Sequence, residues 1–189
     1  MSRGDPNILP YVQTTSTQNH IIERVWLEVN QRVTYPIKRV ISMMDDTRLV
    51  NMDDELHKFC VSYVLQKCCL VGLERMIQAW NNHSVPRKGI PNTLALNDGT
   101  NPIHLSEIPM SDMAVSEYRH QGGSITDPTE FGEDPLRDDL VLLRRREQLW
   151  VTRCGATISV IYTDLMAGNS QPLQDSIMKF IEVTQELNQ

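Results

Sequence analysis

Three side chains near the N-terminus have types and spacing that could do chemistry. Glu23 is a lone carboxylate, Asn19 precedes it by four positions, and Arg24 follows it directly. On a helix, residues four apart lie on nearly the same face, so Asn19 and Glu23 would present an amide and a carboxylate one turn apart. A carboxylate held on a helix is a rigid oxygen ligand. The amide could meet a phosphate or a nucleophile, and the guanidinium could bind backbone phosphates. A plainer explanation competes for Glu23: a carboxylate in the first turns of a helix complements the helix dipole. Spacing alone leaves both open.

These residues need a helix to hold them. Ser16 to Asn19 supply side-chain oxygens for the orphan N–H groups of a first turn. Ile22, Val25, Trp26, Val29 and Val33 follow at helical spacing. Pro36 is expected to end or kink this first helix and to open a second over about 37–44, with Ile37, Val40, Ile41 and Met44 on one face. Residues 45–51 form a loop. A long third helix begins near Asp53, capped by Asn51 or Asp53, and runs to Trp80. Its buried side is marked by Leu56, Phe59, Cys60, Tyr63, Val64, Cys68, Val71, Met76, Ile77 and Trp80, and Gly72 marks a bend or a close helix contact. Asn81, Asn82 and His83 close it by satisfying terminal carbonyls. Before the first helix, residues 8–12 are a candidate short strand.

The character changes after residue 84. Six prolines fall between Pro86 and Pro135, Gly122-Gly123 interrupts, and apolar periodicity is lost. Residues 97–136 are expected to be a long, largely disordered linker. Two further helices follow over about 138–153 and 173–187, and Thr157 to Tyr162 form a strand or a helical turn. The chain thus divides into 1–96, 97–136 and 137–189.

Composition bounds the function classes. Hydrophobic residues make up 40% and the mean hydropathy is −0.34, and the most apolar stretch, Phe59 to Leu73, is broken by Gln66 and Lys67, so no membrane span is expected. The N-terminus has no apolar core of a secretory signal, which points to an intracellular protein, nuclear or cytoplasmic, with Cys60, Cys68, Cys69 and Cys154 as reduced thiols. Cys60 and Cys68 fall on the apolar face of the third helix and read as core. His57 and Cys60 have ligand-like spacing, but no second pair completes a zinc site. The net charge of −6 argues against a generic nucleic-acid binder. It is uneven, however: residues 1–90 carry 11 Lys+Arg against 9 Asp+Glu, and residues 91–189 carry 7 against 15. Attraction to phosphate must come from the first half. Arg144-Arg145-Arg146, with Asp138, Asp139 and Glu147 nearby, reads as a solvated helix face. Trp26, Trp80 and Trp150 read as core.

Ser16-Thr17, Asn19, Ile22-Glu23-Arg24 and Trp26 together resemble the third acidic motif of the retroviral-integrase-like (DDE) catalytic core, in the form found in transposon-derived integrase core proteins of animals. The similarity continues through His57 to Val64 and through Trp80-Asn81-Asn82-His83 to Ile90-Pro91-Asn92-Thr93-Leu94. It covers about 8–94, and the remainder loosely. Gln18 stands where relatives often have His, and the His-His-Cys-Cys zinc module that often precedes such cores is absent.

The resemblance implies an RNase H-like fold, Mg²⁺ as cofactor and DNA as partner. Glu23 would be a catalytic metal ligand, and Asn19 and Arg24 nucleic-acid contacts. It also implies two Asp residues on strands before the Glu. Upstream of Glu23 the only acidic residue is Asp5, 18 positions away and beside Pro6. The expected fold is therefore mainly α: the helical C-terminal portion of an RNase H-like α/β integrase core, with a disordered linker and short C-terminal helices. The expected function is that of an integrase core whose ancestral activity is metal-dependent DNA strand transfer, inactive alone for want of two carboxylates. The alternative is a helical protein-interaction or dimerisation module, binding a protein or a second copy through exposed helix faces.

Overall fold

The structure is a computed structural model that describes residues 20–86, 89–97, 110–125 and 131–189. The described residues are mainly helical and contain no strand. The candidate strand at 8–12 lies outside them. In chain order the helices are α1 (His20–Val29), α2 (Tyr35–Asp46), α3 (Glu55–Asn82), α4 (Pro91–Asn97), α5 (Ser111–His120), α6 (Leu140–Cys154), α7 (Ile158–Met166) and α8 (Gln171–Leu187).

Pro36 does not end the first helix. A single π-helical turn, Asn30–Thr34, joins α1 directly to α2, and Pro36 sits in the first turn of α2. In an α-helix the carbonyl of Arg32 would pair with the N–H of residue 36, and proline has none. The Tyr162 hydroxyl of α7 donates to that carbonyl at 2.7 Å. Gly72 allows this reach. A Cβ there would stand 2.8 Å from Tyr162 Cε2, so α3 has a close contact at Gly72 and continues through it unbroken. The local break that Pro36 imposes is thus covered by a side chain from the far half of the chain.

α3 is 28 residues long and central. Its N-cap is Asp54, whose Oδ1 accepts from His57 N–H at 2.8 Å, one residue beyond the expected caps. Asn51 instead folds the preceding turn, its Oδ1 accepting from Asp53 N–H at 3.0 Å. The core is shared by both ends of the chain. Val33, Ile37, Val40 and Met44 meet Cys60, Val61, Val64 and Cys68 of α3, then Trp150, Ile161, Tyr162, Leu173, Ile177 and Phe180 from α6 to α8. Phe180 stacks on Tyr63 with ring centroids 4.6 Å apart, and Trp150 meets Phe180 edge-on at 5.1 Å.

Thr157 to Tyr162 start a helix, not a strand. Gly155 takes φ +65° to end α6, and the Thr157 side chain caps α7 by accepting from Val160 N–H. The short β-branched run was ambiguous in period, and these caps decide it. Within the span expected as a linker, α5 is helical. Residues 131–136 pack on the bundle: Leu136 is buried and Glu133 N–H donates to the Glu55 carbonyl at 3.1 Å. Residues 98–109 and 126–130 of that span lie outside the described residues.

Three burial expectations change. Arg146 is only 3% exposed, so it is not part of a solvated face, although Arg144 and Arg145 are. Its guanidinium makes two hydrogen bonds to Asp134, at 2.6 and 2.8 Å, and lies 5.0 Å from the Phe180 ring and 5.1 Å from that of Phe59. It falls three residues after Leu143 and four before Trp150, on the inward stripe of α6. Trp26 is not core: it is 62% exposed, because the side of α1 that meets the end of α3 carries Arg24 and Glu28, and Trp26 lies about 160° round the helix from each. Ile77 of α3 is likewise exposed. Trp150 is buried as expected, and Trp80 is half-buried.

Candidate nucleic-acid interface

Glu23 and Arg24 lie exposed in the first turns of α1. Asn19 lies outside the described residues. α1 is joined without a gap to the π turn, where Val33 is buried in the core and Arg32 receives the Tyr162 hydroxyl. The helix carrying Glu23 and Arg24 is therefore held at its C-terminal end.

The structure separates the two candidates by direction. Glu23 shares its side of the helix with Trp26 and Leu27, three and four residues on and both exposed. Arg24 turns toward the C-terminal end of α3. There it lines a cleft of about 230 Å³ with Glu28, Arg32, Met76, Ala79, Trp80 and His83. One wall is a ridge of α1 and the π turn at four-residue spacing, and Arg32 Nε donates to Glu28 Oε2 at 2.6 Å. The other wall is the last two turns of α3.

That second wall is built by the Trp-Asn-Asn-His segment. His83 Nδ1 hydrogen-bonds the Trp80 carbonyl, and because a carbonyl only accepts, the ring proton sits on Nδ1. Asn82 Nδ2 donates to the Gln78 carbonyl at 2.8 Å, and Asn92 Nδ2 of α4 donates to Asn82 Oδ1 at 2.9 Å. The expected carbonyl capping is thus present, and it also fixes the His83 ring 4.8 Å from the Trp80 ring. Glu28, Arg32 and Trp80 were not singled out as site residues from sequence. The signal was there in the 24, 28, 32 periodicity, but only the packing of α1 on α3 brings that ridge to Trp80.

The implied metal was tested against the donors present. Among the described residues no three His, Cys, Asp or Glu side chains converge on a point that could hold a metal ion. A single carboxylate does not bind two Mg²⁺ ions, which each require several oxygen ligands. The described residues do not fit a two-metal centre. The His57 and Cys60 pair is also not a zinc site. His57 Nδ1 accepts from Asn51 N–H at 3.1 Å, and the Cys60 Sγ lies buried against Thr184 Oγ1. Burial pushes the Cys60 thiol up to about 11 and the Cys68 thiol up to about 12, which keeps both protonated and inert at neutral pH. All four cysteines are free. No helix among the described residues is long and apolar enough to cross a membrane.

Residues 5–96 match the integrase core domain family. No curated protein and no solved structure matches the chain.

Proposed function

We propose, on the premise that residues 5–96 belong to the integrase core domain family, that this chain carries the helical, Glu-bearing portion of an RNase H-like core of transposon origin. Its ancestral chemistry is metal-dependent DNA strand transfer. In this role Glu23 is one carboxylate of a metal centre, and Arg24 binds the DNA backbone beside it, with Asn19 one turn before. The observation that carries the proposal is the family match over the segment that carries Glu23 and Arg24, both exposed, on a helix anchored at its far end.

With one carboxylate at this place among the described residues, the chain alone is proposed to lack strand-transfer activity. DNA binding would be retained through Arg24 and its basic neighbours. The test is a pair of measurements. In a calorimetric Mg²⁺ titration, no tight saturable binding is expected. Tight binding that Glu23→Gln abolishes would overturn the proposed incompleteness, as would Mg²⁺-dependent joining of DNA ends. In a duplex-DNA titration, Arg24→Ala is expected to weaken affinity and reduce the salt slope by about one unit. An unchanged slope removes Arg24 as a phosphate contact.

One observation favours a second reading, a protein-interaction or dimerisation module. Besides Trp26, the large side chains Leu27, Tyr35 and Met43 are exposed along the helix from α1 to α2. Exposed apolar surface of this kind is often an interface. Sedimentation at increasing concentration separates the two: a dimer lost in Trp26→Glu supports the module, and a monomer throughout removes the homodimer.

A further inference from the structure

We propose that the cleft between α1 and the end of α3 receives one unpaired nucleotide of a nucleic-acid strand, with an amino-bearing base: adenine, cytosine or guanine. The inference rests on the DNA reading above and deepens it.

The charges in the cleft are layered. The Glu28 side chain is 28% exposed and that of Arg32 57%, so the acceptor lies deeper than the donor to which it is paired. Arg32 occupies Glu28 Oε2, and a carboxylate has further lone pairs to offer. Arg24, one turn before Glu28, is exposed. Buried Met76 lines the same cleft as the half-buried indole of Trp80, whose ring centroid lies 4.8 Å from that of His83. A guest must therefore bring a hydrogen-bond donor inward, a flat aromatic face beside the indole, and negative charge outward to the arginines.

Simpler guests fail one of these conditions. A purely apolar group would desolvate Glu28 without pairing it. A free anion would meet Glu28, and a cation would meet Arg24 and Arg32. A nucleotide satisfies all three at once: the exocyclic amine donates to a carboxylate, the base stacks on an aromatic ring, and its flanking phosphates face guanidinium groups. Adenine, cytosine and guanine carry that amine, whereas thymine offers only its ring N3–H. The base must be unpaired, because in a duplex its faces are stacked and its amine is engaged.

The test is fluorescence anisotropy at low salt with three probes: a blunt duplex, and the same duplex with a short single-stranded end of A or of T. The A-ended probe is expected to bind roughly tenfold tighter than the blunt duplex, in line with one stacked base, and tighter than the T-ended probe, which stacks but carries no amine. Trp80→Ala should erase that preference and Trp80→Phe should keep most of it. Glu28→Ala should bring the A-ended and T-ended probes together. Thermal unfolding of each variant shows whether the fold is intact, and Glu28, on the surface wall, provides a variant that does not perturb α3. Equal binding of all three probes overturns the inference and leaves the DNA reading standing, as does a preference that survives both Trp80→Ala and Glu28→Ala. Failure of every probe to bind overturns both.

Discussion

Arg146→Ala is expected to destabilise the protein by about 3–5 kcal/mol, the range for removing one partner of a buried ion pair. For a chain of this size that is a fall in Tm of roughly 10 °C. The guanidinium is almost fully buried and binds both oxygens of Asp134, whose side chain is 15% exposed. It also lies over Phe59, Tyr63 and Phe180. Its loss leaves a poorly solvated carboxylate and an opening among three rings, and it releases the segment that Asp134 holds against the bundle. Asp134→Ala should fall in the same range, leaving a buried cation unpaired. The double variant should lose less than the sum of the two single losses, because the second change removes a charge already without its partner. The neighbouring Arg145→Ala, on the exposed side of α6, should stay within about 0.5 kcal/mol of the parent. Thermal melts of the four variants and the parent check this, and equal effects at 145 and 146 would sink the account of the pair.

Gly132→Ala is expected to cost about 3 kcal/mol or more. Its φ of +87° is unfavourable for a residue with a Cβ, and the surroundings make it worse. A Cβ at Gly132 would stand 2.2 Å from the Phe59 nitrogen and 2.5 Å from the Glu55 carbonyl oxygen. Both are backbone atoms of α3 and cannot swing aside. The segment 131–136 would have to lift from α3, which strains the Glu133 to Glu55 hydrogen bond and exposes Leu136. Gly122 provides the control, since its φ is +85° and nothing lies within 4 Å of its would-be Cβ. Gly122→Ala should therefore cost only the conformational part, about 1 kcal/mol. The difference between the two, about 2 kcal/mol, isolates the overlap and is typical of overpacking. It should appear as a lower urea midpoint at unchanged m-value. Equal midpoints for the two variants would mean that 131–136 does not lie against α3.

Neither substitution touches the cleft beside Arg24. Both act through the join between residues 131–136, α3 and α6, and they test whether that join carries the fold. A native protein is stable by only about 5–15 kcal/mol in all, so either loss is a large share of the total.

The sequence by itself determined most helices and many of their ends. Apolar spacing placed α2, α3, α6 and α8 to within a few residues, because a helix that buries one face must repeat apolar residues at its own period. Pro36 as a helix opener, Gly72 as a close contact and the capping by Asn82 and His83 were local chemistry and therefore legible. So was the likeness of residues 5–96 to the integrase core domain family, since its motif lies within one continuous stretch of chain.

What only the tertiary structure decided is what those faces meet. Among three consecutive arginines, packing alone buries Arg146 and finds it Asp134. Trp26 belongs to an apolar stripe yet is exposed, because α3 meets the side of α1 that carries Arg24 and Glu28. The proline break before α2 is covered by Tyr162, 130 positions away. The Arg24, Glu28 and Arg32 ridge becomes the wall of a cleft only where α3 brings Trp80 against it. Local periodicity reports which face of a helix is apolar, but a partner distant in sequence is selected by how the whole chain packs, and no short window of residues records that choice.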